Sequence, residues 1–122
     1  MANIRIPNHA DRTVTPTLTL GWSADGSSPG NCQWQIAYLW RSDDENTAAA
    51  AQETLTVTTA ASATANGMRQ STVTLQVPSA TDLCLHVQVK RLAAGVTDTI
   101  ADTVEMHGMC LQFTSDKLGT AT

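Results

Sequence analysis

The chain has 122 residues, of which 15% are charged and 42% hydrophobic, with a formal net charge of −4. That length suits one compact domain able to bury a core without staples. The seven basic residues are scattered, with only Lys90 and Arg91 adjacent, which argues against the clustered positive footprint of a nucleic-acid binder and gives no basic run in the sequence for an anionic membrane.

The leading stretch, MANIRIPNHADR, holds no apolar run after its start, so no signal peptide is expected. Nor does any apolar stretch approach the roughly 20 residues that span a bilayer. The chain is therefore expected to be made in a cytosol. Ile4 and Ile6 have no evident place in a packed domain at this level of reading. Residues 1–14 are read as an arm, with Ile4, Arg5 and Ile6 as candidate partner contacts; a frayed terminus or an added edge strand reads equally well.

TLTLGW (17–22) alternates, placing Leu18, Leu20 and Trp22 on one face of a strand. SADGSSPGN (23–31) is turn chemistry, with Asp-Gly and Pro-Gly. CQWQIAYLWR (32–41) follows, and a hairpin joining these two strands across the loop is predicted. Trp34, Ile36, Tyr38 and Trp40 fall on every second position, the period of one strand face. The other parity, Gln33, Gln35, Ala37, Leu39 and Arg41, is more polar. The aromatic face is thus predicted to be core, and Trp22, Trp34, Tyr38 and Trp40 are the core aromatics. The chain has a single phenylalanine, so an exposed sugar- or base-stacking platform here would rob the core of its largest fillers.

SDDEN (42–46) is an acidic loop, and TAAAAQE (47–53) is the only helix-friendly stretch, enough for one helical turn or an irregular connection. TLTVTT (54–59) is a short strand with Leu55 and Val57 on one face. AASATANG (60–67) ends in an Asn-Gly turn. MRQSTVTLQVP (68–78) is a longer strand with Val73, Leu75 and Val77 pointing one way, ended by Pro78. LCLHVQVKRL (83–92) alternates with Leu83, Leu85, Val87 and Val89 inward. After the turn AAGVTDT (93–99), IADTVEMHGMCLQFTS (100–115) changes phase: Val104 and Met106 keep one parity, Met109, Leu111 and Phe113 the other. A bulge at Gly108 would correct it. The tail, residues 115–122, is polar.

Evenly spaced strands, about seven or eight in number with turns between, are the pattern of an all-β fold: one antiparallel β-sandwich or jelly roll. Residues 1–122 form that single domain, with the arm and the tail as its ends.

Chemistry-bearing patterns are sparse. Cys32, Cys84 and Cys110 are far apart with no CxxC pair, which reads as small half-buried hydrophobes in a reducing compartment. His9, His86 and His107 show no ligand spacing, so no metal is expected. Cys84 and His86 share a strand face, but residues two apart on a strand stand about 6–7 Å apart, too far for a nucleophile and its base. The serines in turns lack a nucleophile-elbow frame. The acids Asp25, Asp43, Asp44, Glu45, Asp82 and Asp98 sit in turns, where they usually bond their own backbone; Asp102 and Glu105 read as a solvated face. No glycine-rich phosphate loop is present. No enzyme and no cofactor is expected.

Three pieces carry a resemblance: LGWSADGSSPGNCQWQIAY, LHVQVKRLAAGVTDTIADTVEMHGMCLQF and the closing DKLGT. Their order is similar to that in a loose group of β-sandwich proteins of tailed bacteriophages. Those have an aromatic-Ser/Ala strand end, a turn closing in Gly-Asn or Gly-Asp, a V-x-W-x-I-x-Y strand, and a basic strand end before a short DT-bearing turn. The similarity covers Thr17 to Gly119. It implies a virion structural protein and brings no catalytic residue. Within that class a capsid decoration (cement) protein fits a small chain without a coiled-coil shaft. The implied partners are the major capsid protein of the same phage and further copies of the chain, with a trimer favoured. The implied location is the capsid exterior. The alternative is a tail-fibre or receptor/glycan-binding module of the virion.

Overall fold

The computed structural model describes residues 2–7, 10–42, 51–79, 82, 84–93 and 96–114. Among these it is all-β: β1 (Ala2–Arg5), β2 (Thr17–Ala24), β3 (Asn31–Arg41), β4 (Glu53–Ala60), β5 (Met68–Thr74), β6 (Cys84–Arg91) and β7 (Val104–Gln112). They form two antiparallel sheets, a four-stranded one in the order β1-β6-β3-β4 and a three-stranded one in the order β5-β2-β7. The expected single β-sandwich is what the chain builds. No helix of the described residues is long and apolar enough to cross a membrane.

Each strand contributes through its alternation. Along β3 every second side chain is buried, from Cys32 to Trp40. Leu18, Leu20 and Trp22 of β2 are fully enclosed, as are Leu85 and Val87 of β6. The sheets meet through aromatic rings: Trp22 of β2 lies against Trp34 of β3, centroids 6.4 Å apart and tilted by 58°. Trp40 of β3 meets Phe113, beyond the end of β7, at 6.0 Å. Non-parallel ring pairs at these distances place edges on faces, the favourable arrangement for the ring quadrupoles.

The predicted hairpin between β2 and β3 does not form. β2 pairs with β5 and β7, whereas β3 pairs with β4 and β6. Pairing β2 with β3 would put Trp22 and Trp34 on one face of one sheet. The crossover sets them on opposite sides of the core, one from each sheet, where each removes more apolar surface from water. The 24–31 connection is instead clamped to the segment before β7. Asp25 and Thr103 exchange bonds (Asp25 N–H to Thr103 O, 3.0 Å; Thr103 N–H to Asp25 Oδ1, 3.1 Å). Ser28 donates its N–H to Asp102 Oδ2 at 3.0 Å. Gly30, at φ 140°, passes so close to Thr99 that a Cβ there would lie 2.8 Å from the hydroxyl oxygen. Only glycine takes that backbone without strain.

The phase change in the last strand is a bulge, as expected, though seated one residue earlier. Gly21 faces Gly108 while Trp22 faces Met106, leaving His107 as the extra residue. The shift keeps Met109 opposite Leu20 and Leu111 opposite Leu18, so both partly buried side chains pack on the core.

β5 is shorter than predicted. Past Thr74 the chain leaves the ladder, Leu75 donating its N–H to Pro16 O at 3.0 Å. Leu75 stays buried, but Val77, expected inward, is 41% exposed. β4 starts at Glu53, at the end of the helix-friendly stretch; residues 47–50, Leu83 and the tail lie outside the described residues.

Candidate functional site

The four predicted core aromatics are all internal: Trp22, Trp34, Tyr38 and Trp40 are 0%, 5%, 1% and 3% exposed. None offers a stacking platform. Their polar atoms show how tightly the interior is specified. Trp22 Nε1 donates to Ser71 Oγ at 2.9 Å, and Thr59 Oγ1 lies 2.7 Å from the same hydroxyl. Trp40 Nε1 donates to the Gln76 carbonyl at 2.8 Å. The Tyr38 hydroxyl donates to Glu53 Oε1 and accepts the Gln76 N–H at 2.9 Å. Burial pushes that phenol up to about 12. Trp34 Nε1 is buried and has no hydrogen-bond partner among the described residues.

The leading segment does have a place in the sandwich. Ala2–Arg5 is an edge strand on β6, with Ile4 opposite Leu85 and Arg5 opposite Cys84. Ile6 is 4% exposed and belongs to this chain's own core, with Ile4 packed partly against it. Of the three candidate contact residues, only Arg5 is exposed. The alternation of Ile4 and Ile6 is the inward face of an added strand.

The strongest polar cluster was not read from sequence. Asp98 accepts two bonds from Arg91, from Nε at 2.9 Å and from the second guanidinium nitrogen at 2.7 Å. It also accepts the Gln33 N–H at 3.0 Å. The Asp98 side chain is fully enclosed and that of Arg91 is 20% exposed. The Arg91 hydrogen bonds hold the Asp98 carboxyl below its ordinary value. Beside them the Cys32 thiol is pushed up to about 12, first by burial and then by the Asp98 charge. A thiol so raised is protonated and inert at neutral pH. The cluster ties the β6–β7 connection to β3; its role is structural.

His9 lies outside the described residues. His86 Nδ1 is 2.7 Å from Asn3 Oδ1 and 3.3 Å from an Arg41 guanidinium nitrogen. His107 Nε2 is 2.7 Å from Ser23 Oγ. No group of three His, Cys, Asp or Glu side chains able to hold a metal ion occurs among the described residues.

The two outer sheet faces differ in character. On the four-stranded sheet, Arg5 and Arg41 flank Cys84 in one cross-strand row. Lys90 and His86 share that face with glutamine and threonine, Lys90 opposite Gln35. No carboxylate occurs at its described positions, in a chain of net charge −4. On the three-stranded sheet the cross-strand pair Gly21 and Gly108 leaves a floor without side chains. An open depression of about 320 Å³ sits there, bordered by Met68, Gln70, His107 and Cys110 among others.

No protein-family model, curated protein or solved structure matches the chain.

Proposed function

We propose that the protein is a virion structural protein of the tailed-phage type, acting as a capsid decoration (cement) protein on the outside of the shell. The reading rests on the sequence resemblance together with the β-sandwich fold. The observation that carries it is the outer face of the four-stranded sheet: Arg5, Arg41 and Lys90 with no carboxylate at its described positions, on an acidic chain. An open sheet face suits contact with another broad surface. Its charge selects an acidic one, and such complementarity favours orientation and encounter rate over raw affinity.

The partner in this reading is the major capsid protein of the same phage. Decoration works by mass action: a protein that binds only the assembled shell stabilises that state in proportion to its occupancy. Copies at symmetry points, as trimers, would bridge neighbouring capsid subunits.

Imaging of purified particles by cryo-electron microscopy tests this. The expected result is density for this chain across the shell lattice; confinement to a few copies at the tail tip overturns the decoration reading. A second arm tests the face. Arg5→Glu with Arg41→Glu should abolish binding to expanded shells and leave the melting temperature close to wild type. Unchanged binding would mean that another surface docks.

A further inference from the structure

We propose that the free edge of β7 is a docking site for one extended segment of a partner polypeptide, added as a further strand with apolar residues at every second position. β7 ends the three-stranded sheet and pairs with β2 alone. The backbone N–H and C=O groups on its other side have no partner among the described residues. Such a row is a template for strand addition, and native chains blunt it with lysine, proline or a bulge. β7 carries neither lysine nor proline. Its bulge sits at His107 and leaves 108–112 in regular register with β2.

The side chains of β7 show that this flank of the sandwich is unfinished. Its core-facing residues Val104, Met106, Met109 and Leu111 stand opposite Ala24, Trp22, Leu20 and Leu18 of β2. The β2 members are all buried. Met106, the partner of a fully enclosed tryptophan, is 38% exposed, and Val104, Met109 and Leu111 are only half-buried. Cross-strand partners that face the same way differ because β2 has a neighbour on both sides and β7 does not.

The sheet count gives the size of the opening. At the opposite flank β4 and β5 close the sandwich: Thr59 Oγ1 lies 2.7 Å from Ser71 Oγ, and Arg69 Nε donates to the Ala60 carbonyl at 2.9 Å. The Trp34 and Trp22 rings then set β3 over β2. Counting outward from there puts β6 over β7 and leaves β1 with no described strand beneath it. Ile4, on the inward side of β1, is likewise only partly buried. The gap beside β7 and under β1 is one strand wide, about 4.8 Å of sheet. A single extended chain fits it. Its backbone completes the β7 ladder, and its alternate apolar side chains cover Met106, Met109, Leu111 and Ile4. A second copy does not fit: joined β7 to β7 by a two-fold axis, it would carry its own four-stranded sheet into the space that β1 overhangs. The chain's own 115–122 stretch, SDKLGTAT, lacks the apolar alternation, with Leu118 as its one large apolar residue. The edge is separate from the basic outer face and stands whether or not that face binds a shell.

The test uses the full chain and a probe strand, a fluorescein-labelled, lysine-tagged peptide of the β2 sequence (Thr17–Ala24). Within the protein that sequence already pairs antiparallel with β7. Fluorescence anisotropy should show saturable binding of one peptide per chain. Amide hydrogen exchange followed by NMR should show new protection in β7, while the other edge strands, β1, β4 and β5, exchange as before. Met106→Lys places a charge on a side chain already at the surface, and should abolish binding with little change in melting temperature. Val77→Lys, at a comparably exposed apolar residue outside β7 (41%), should leave binding unchanged. A probe N-methylated at alternate amides, unable to complete the ladder, should not bind the unaltered chain. No binding of the unmethylated probe, protection at another edge, binding indifferent to Met106→Lys or to N-methylation, or an equal loss in Val77→Lys would each overturn the proposal. So would a dimer of the chain that Met106→Lys splits, which would put a second copy at the edge.

Discussion

Trp34 and Trp22 touch each other across the core, yet replacing each by phenylalanine should have unequal effects. Both substitutions shrink the ring and leave a small void, costing about 1 kcal/mol at roughly 24 cal/mol per Å³ of cavity. The polar terms then diverge. The Trp34 indole N–H is buried with no partner among the described residues, and an unsatisfied buried donor costs about 1–3 kcal/mol. Trp34→Phe removes that penalty, so its net change should fall near zero or on the stabilising side. Trp22 Nε1 donates to Ser71 Oγ at 2.9 Å, and Ser71 is 1% exposed. Trp22→Phe deletes a made bond worth about 1 kcal/mol and leaves Ser71 leaning on Thr59 alone. Trp22→Phe should therefore be less stable than Trp34→Phe by about 2 kcal/mol. Equilibrium urea unfolding, monitored by circular dichroism with the slope held in common, measures the difference. If Trp34→Phe proves the more costly of the two, the reasoning about the unpaired indole is wrong. Trp34→Ala is the companion variant: losing the whole buried ring should cost about 3–5 kcal/mol, and unchanged melting would refute its burial.

Asp98→Asn should cost about 2–3 kcal/mol at neutral pH, because it removes the charge from bonds that Arg91 donates into an enclosed site. Asp98 titrates below its ordinary 3.8 in the folded chain, so its contribution is complete above that value and fades as pH falls through the folded value. The stability gap between wild type and Asp98→Asn should therefore close in acid; a gap constant to the lowest pH at which the chain folds would contradict the pairing. Thiol labelling of the native chain should modify Cys110 readily, while Cys32, buried and raised to about 12, should react only after denaturant is added. Peptide mapping that finds Cys32 labelled in the native state would refute that burial.

The alternation of Trp34, Ile36, Tyr38 and Trp40 was sufficient to identify both the strand and its inner face, since a period of two leaves one choice of face once one parity is apolar. The phase break in VEMHGMCLQF located the bulge to within a residue for the same reason. Sheet membership was not legible. Alternation reports which way side chains point, not which strand lies alongside, and the 24–31 connection is long enough either to turn back or to cross. Ile6 went unplaced because the strand that leads to it, β1, pairs with β6, far along the chain. Asp98 sat in a VTDT turn with the usual self-bonding chemistry. Arg91 carried the missed signal: it shares parity with the inward Val87 and Val89, which a purely solvated lysine-arginine pair would not explain. The depression was the least readable feature, because Gly21 and Gly108 meet only through register.

The sheet order has a consequence for how the chain is made. Among the described strands only the β3 to β4 connection stays within one sheet; β1 to β2, β2 to β3, β4 to β5, β5 to β6 and β6 to β7 all pass between sheets. During synthesis β3 and β4 can meet early, but an isolated two-stranded hairpin is marginal in water. β1 must wait for β6, and β2 stays open on one side until β7, the last of the described strands, emerges. Folding is thus dominated by distant pairings, and should be slow for the size of the chain. A translation product that stops before β7 leaves Leu18, Leu20 and Trp22 on an open sheet, and its fate is clearance or aggregation rather than partial assembly.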